Sequence, residues 1–191
     1  KTPDEGTVQF VLTEPYGDDT ITLPAGTYPL VGPSGDNSND SGDVDLNMGA
    51  GNGLTLNVAG SGNTFINAND NDRVLHLTGT GQFELNGLTL TDGTAAPMES
   101  GGGLAILGTN TVTADDLTVT ANHAPSQGGG VLVNVFSTAT FEDTMITSNS
   151  TSISFGNSGA GLASSGVTTI SNSTVSANTL TSPDDASNGS G

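Results

Sequence analysis

The sequence repeats itself. Gly101-Gly102-Gly103-Leu104 returns as Gly128-Gly129-Gly130-Val131 and, more loosely, as Gly159-Ala160-Gly161-Leu162. Each is followed by a Thr-rich stretch that closes on an aliphatic, two residues and Asn: Val119 to Asn122, Ile146 to Asn149, Val175 to Asn178. The asparagines stand 27 and 29 residues apart. A repeat of this size is one supersecondary unit that cannot bury its apolar face alone, so it must stack on its neighbours.

Aligning the repeats yields six columns in which apolar residues alternate with polar ones, the pattern of strands buried on one face. The first pair is Leu75/Leu104/Val131/Leu162 and Leu77/Ile106/Val133/Ser164. The second is Phe83/Val112/Ala139/Thr168 and Leu85/Ala114/Phe141/Ile170. The third is Leu88/Leu117/Thr144/Ser173 and Leu90/Val119/Ile146/Val175. First and last columns are 15 residues apart in three repeats and 13 in the last. Three short strands per turn, stacked about 4.8 Å apart, describe an all-β parallel solenoid. Leu46/Met48, Leu54/Leu56 and Thr64/Ile66 form an earlier rung, with five extra residues before its third strand. Ile21/Leu23 and Tyr28/Leu30 open the series, giving about six rungs. The Asn positions fit a turn that tolerates left-handed backbone, with Gly93 in their place in the first repeat, and stacked Asn side chains can ladder between rungs. Domain limits follow: 1–16 as an N-terminal strand that caps this chain or pairs with another edge, 17–180 as the solenoid, and 181–191 as a flexible polar tail.

Composition narrows the function. Gly, Thr, Ser and Asn make up about half of the 191 residues. Two Lys plus Arg face 20 Asp plus Glu, a net charge of −18. A chain without a basic surface cannot neutralise nucleic-acid phosphate, and anionic membranes repel it. It has no Cys, hence no disulfides, and no apolar run long enough to span a membrane. The start lacks a signal-peptide pattern, which we read as a mature or trimmed chain.

The run Gly17-Asp18-Asp19-Thr20-Ile21-Thr22-Leu23-Pro24-Ala25-Gly26-Thr27-Tyr28 resembles the opening of secreted right-handed parallel β-helix repeat proteins of bacteria and archaea. The alternation of Gly-Gly-Gly-aliphatic with aliphatic-x-x-Asn is similar to polymorphic outer-membrane protein repeats of surface adhesins. Those carry Phe where this chain has Val119, Ile146 and Val175, so the likeness is to the broad superfamily. The Cys-Ser-Leu-Arg-Glu-Ala-like segment that often precedes such repeats is missing; residues 6–13 read as a strand instead. The resemblance implies a right-handed helix, secretion and a cell-surface role that is adhesive or structural, with cell-surface or host glycans among the partners.

Acidic residues gather at one corner. Asn86-Gly87, Asp115-Asp116, Glu142-Asp143 and Ser171-Asn172 align in successive repeats. Asp115, Asp116, Glu142 and Asp143 therefore lie within about one rung of each other. Three readings stand: a solvated turn, a Ca²⁺ site built from oxygen ligands, or a catalytic carboxylate pair. Two further acidic stretches, 36–45 and 67–72, lack the spacing of known Ca²⁺ loops and read as polar loops.

Enzymatic alternatives have weaker footing. Polysaccharide lyases on β-helices, by resemblance, use Arg or Lys, and Arg73 is the one basic residue away from the terminus. A polyuronate would also meet a strongly negative surface. A hydrolase would rely on Asp115 and Asp116. His76 reads as outward-facing and His123 as a loop residue, neither with a Ser or Cys constellation. The outward rows Thr89/Thr118/Met145/Thr174 and Thr91/Thr120/Thr147/Ser176 suggest ice binding, although Met145 interrupts one. The expected function is a non-catalytic extracellular solenoid, structural or adhesive, joined to itself or to neighbouring domains through its ends. The core columns turn polar toward the C-terminus at Ser164, Thr168 and Ser173, which leaves that end in need of a cover.

Overall fold

The computed structural model describes residues 17–32, 35, 42–152 and 159–181. Every element among them is a short β-strand, and every strand pairing is parallel. One sheet stacks β1 (Asp18–Leu23), β4 (Gly53–Val58), β7 (Gln82–Asn86), β10 (Thr111–Asp115), β14 (Thr138–Glu142) and β18 (Val167–Ser171) in that order. A second stacks β2 (Gly26–Pro29), β5 (Thr64–Asn67), β8 (Thr89–Thr91), β11 (Thr118–Thr120), β15 (Met145–Thr147) and β19 (Thr174–Ser176). A third stacks β3 (Val44–Met48), β6 (Leu75–Gly79), β9 (Leu104–Ile106), β13 (Val131–Val133) and β17 (Leu162–Ser164). A narrow fourth sheet holds β12 (His123–Ala124), β16 (Ser150–Thr151) and β20 (Thr179–Leu180). The chain is a parallel β-solenoid of about five turns.

The register follows the apolar columns residue for residue. Leu104 pairs with Leu75 and Val131, Ala114 with Leu85 and Phe141, and Val119 with Leu90 and Ile146. A one-residue slip would turn each buried set outward, so the alternation pins the register. Volumes complement each other: Val112 and Ala114 share one rung, Ala139 and Phe141 the next, and all four are essentially buried. The earlier rung is present too, from Val44 onward, with Leu46 paired to Leu77 and Ile66 to Leu90. The notion of a strand at 6–13, residues 36–41 and the tail beyond 181 lie outside the described residues.

The Asn columns behave as a ladder. Asn149 Oδ1 accepts from Asn122 N and Nδ2, and Asn178 Oδ1 accepts from Asn149 N and Nδ2. Each Nδ2 also donates to the carbonyl of the preceding rung, at Leu90, Val119 and Ile146. Gly93 N donates to Asn122 Oδ1 at 2.8 Å, so Gly93 ends the ladder. The left-handed residues are not these asparagines but the ones before them, Ala121, Ser148 and Ala177. The Asn is selected for its side chain, whereas its neighbour makes the turn.

This ladder explains the glycine motif. A Cβ on Gly103 would lie 2.7 Å from Asn122 Nδ2, and one on Gly130 would lie 2.8 Å from Asn149 Nδ2. A Cβ on Gly102 or Gly129 would fall on the carbonyl oxygens of His123 and Ser150 in the fourth sheet. Gly-Gly-Gly and aliphatic-x-x-Asn are two halves of one packing arrangement.

The last rung is open. Leu85, Ala114 and Phe141 are fully buried, yet Ile170 in the same column is 43% exposed. Leu90, Val119 and Ile146 are buried, yet Val175 is 48% exposed.

Candidate functional site

The acidic corner forms as the alignment requires. Asp115 pairs with Asn86 on one side and Glu142 on the other, and Glu142 pairs with Ser171. Gly87, Asp116, Asp143 and Asn172 all take left-handed backbone, so Asp and Asn stand there partly because they tolerate that turn. Asp115, Asp116, Glu142 and Asp143 are exposed. Asp116 already has a partner: Oδ1 accepts from Ser61 Oγ at 2.7 Å and Oδ2 from Ser61 N at 3.2 Å. Ser61 lies in the five extra residues after β4, two rungs away. Gly87 occupies the intervening rung, where a Cβ would press on Gly60 at 2.9 Å. The same loop covers Thr89, whose Oγ1 donates to the Ser61 carbonyl. Thr89 is therefore buried, and the expected flat outward Thr row is blocked at its first member.

A second cluster sits where β3 and β6 run side by side. Leu75 and Leu77 face the core, so His76 points away from it, directly beside Asp45. His76 is nevertheless only 6% exposed. Asp43, Arg73 and Glu99, all outside the strands, close over it. His76 Nδ1 lies 2.5 Å from Asp45 Oδ1 and 3.4 Å from Arg73 Nη2. A guanidinium only donates, so Nδ1 either accepts from Arg73 or donates to Asp45. Arg73 Nε donates to Asp43 Oδ2 at 2.9 Å, and Arg73 Nη1 lies 3.4 Å from Glu99 Oε2. Asp72 caps the turn, accepting from Arg73 N at 2.8 Å and Gly35 N at 2.6 Å. Burial pushes the Asp43 carboxyl up to about 7; Arg73 pulls it down, while Asp45 and Asp72 push it further up.

These contacts correct several sequence-based expectations. His76 is a buried member of an ion-pair cluster, not a surface residue. Asp43 and Asp45 are buried rather than part of a solvated loop. Arg73 does sit at a strand entry as expected, but it is 3% exposed and held by acids on both sides. His123 belongs to β12, where Nδ1 meets Ser150 Oγ and Nε2 meets Ser152 Oγ, each at 2.9 Å. Both ring nitrogens are taken by hydroxyls, so no carboxylate fixes its tautomer for base catalysis.

Among the described residues, one group of three side chains could gather donor atoms around a metal ion: Asp43, Asp45 and His76, within 4.8 Å of one another. The signal was present in the sequence. Registering the earlier rung on Val44 rather than Leu46 sets Asp45 beside His76 on the outward row. What hid it was the expectation that an outward row is solvated.

No family model, no curated protein and no solved structure matches this chain. The solenoid rests on its own geometry, and its function on its chemistry.

Proposed function

We propose that this solenoid is a non-catalytic extracellular module, structural or adhesive, that associates end to end with its own kind. The observation that carries this reading is the open last rung. Ile170 and Val175 leave uncovered the columns that the four rungs before it bury. The rung's outer edge strand, β18, and the first rung's edge strand, β1, bound the same parallel sheet. A second copy placed head to tail would continue that sheet in the same direction, which is a heterologous contact that propagates. Charge favours the match: β18 has no ionisable side chain, so Asp18 and Asp19 of an incoming β1 meet no like charge.

Two further features support a scaffold over an enzyme. Arg73, the basic residue a lyase would need, is buried in ion pairs. Asp116, half of the conceivable hydrolytic pair, is bound to Ser61. Secretion and adhesion rest on the resemblance to surface β-helix repeats, together with lateral faces rich in Thr and Asn that suit hydrogen bonding to glycans.

Light scattering and negative-stain microscopy across a concentration series test association. Linear oligomers should form, and Ile170→Asp combined with Val175→Asp should abolish them. Strictly monomeric wild-type protein at all concentrations would overturn the reading.

A further inference from the structure

We propose that Asp43, Asp45 and His76 bind a divalent transition-metal cation of the zinc class. Three independent observations converge. The first is placement: one donor atom from each side chain lies within 4.8 Å of the others, and the parallel register of β3 and β6 fixes Asp45 beside His76.

The second is charge. Asp43, Asp45, Asp72 and Glu99 surround Arg73, and the first three are buried. The basic side chains of the described residues there are Arg73 and His76, fewer than the three buried acids. Buried carboxylates that outnumber their counter-ions must take up a proton or a cation.

The third is unmet lone pairs. Asp43 spends Oδ2 on Arg73, which leaves Oδ1 buried with no hydrogen-bond partner. His76 Nε2 is likewise buried and unpartnered. Both side chains are more than nine-tenths buried, at 5% and 6% exposure. An orphaned buried acceptor costs about 1–3 kcal/mol, so native structures rarely keep one without a reason. A bound cation is one group that satisfies such an atom.

The donor set selects the metal class. An imidazole with two carboxylates suits zinc and its first-row neighbours, whereas Ca²⁺ and Mg²⁺ favour oxygen alone. Arg73 fits as the outer partner: by holding Oδ2 it aims the other Asp43 oxygen, as hydrogen-bonded carboxylates do around metal ligands. The corner at Asp115 and Asp116 offers no nitrogen and is a separate matter.

The test uses the intact chain, stripped with chelator and titrated with Zn²⁺. Zn²⁺ should raise the melting temperature by at least about 5 °C, with Ca²⁺ and Mg²⁺ giving less. The sequence has 2 histidines, so imidazole nitrogen NMR separates them. Zn²⁺ should move the His76 signals and leave those of His123 unchanged. Asp45→Asn should weaken Zn²⁺ binding at least about 10-fold, whereas Asp115→Asn with Asp116→Asn should leave it intact. Unchanged His76 resonances on Zn²⁺ addition, or stabilisation by Ca²⁺ alone, would overturn the proposal even if a His76 variant failed to fold.

Discussion

Asn149 Oδ1 accepts two hydrogen bonds from Asn122, through its backbone N and its Nδ2, both at 3.0 Å. One oxygen thus ties the main chain and the side chain of the rung before it. Asn149 Nδ2 returns to the Val119 carbonyl at 3.0 Å, in surroundings where water does not reach. The arrangement leaves no polar atom of that amide unused.

Asn149→Ala should therefore cost about 2–4 kcal/mol, because it strands buried donors on Asn122 and the Val119 carbonyl. Asn149→Asp keeps the acceptor, loses the donor and buries a charge, so it should cost more. Urea denaturation with an unchanged m-value is the measurement, and a loss below about 0.5 kcal/mol would contradict the ladder.

Gly103→Ala places a methyl against Asn122 Nδ2 and should be destabilising despite being a minimal change. In an Asn122→Ala background some of that obstacle is gone, so the two losses should sum to more than the double variant shows. Additive losses would mean the glycine and the asparagine act separately.

Core columns predict a gradient. Phe141→Ala should cost about 3–5 kcal/mol, as for fully buried aromatics. In isolated chains Ile170→Ala, one rung further along the same column, should cost well under half of that. Equal losses measured by thermal unfolding would show the last rung covered in solution.

The Asp43 carboxyl yields a pH test on metal-free protein. Its folded value, about 7, lies above the ordinary 3.8, so the folded state holds the proton more tightly than the unfolded one. Its contribution is full below about pH 4, declines up to about pH 7, and is flat above. The gap corresponds to on the order of 4 kcal/mol. The difference in stability between wild type and Asp43→Asn, followed by denaturant melts from pH 4 to 8, should shift in favour of the variant as pH rises. A constant difference would mean Asp43 is ionised throughout.

Asp116→Ala and Ser61→Ala should each cost about 1 kcal/mol, the modest value reflecting their exposure. A double-mutant cycle should return a coupling of at least about 0.5 kcal/mol.

The columns could be read in the sequence because a solenoid reuses one register. Leu104, Val131 and Leu162 announce the same environment three times, and the spacing between columns has little freedom. The acidic corner was legible for the same reason, since Asp115 and Glu142 are consecutive members of one row. For the Asp43/Asp45/His76 cluster only the pairing of Asp45 with His76 was legible, through the register on Val44. Its burial was not, because it depends on Arg73 and Glu99 folding over an outward strand. Ser61 reaching Asp116 was equally hidden: the extra residues after β4 stood out as an interruption, but nothing in a column says where a loop lands.

That reach alters how the molecule should come apart. A stack in which each coil holds only its immediate neighbours can unravel coil by coil from any free end. The Ser61 loop skips the coil of Gly87 and fastens to the next, so opening the coil of β10 also breaks a contact to the coil of β4, which couples β4, β7 and β10. They should exchange amide hydrogens as a single block, slowly, while the coils of β14 and β18 fray early. A molecule built from equal units thereby acquires a protected half and a yielding half.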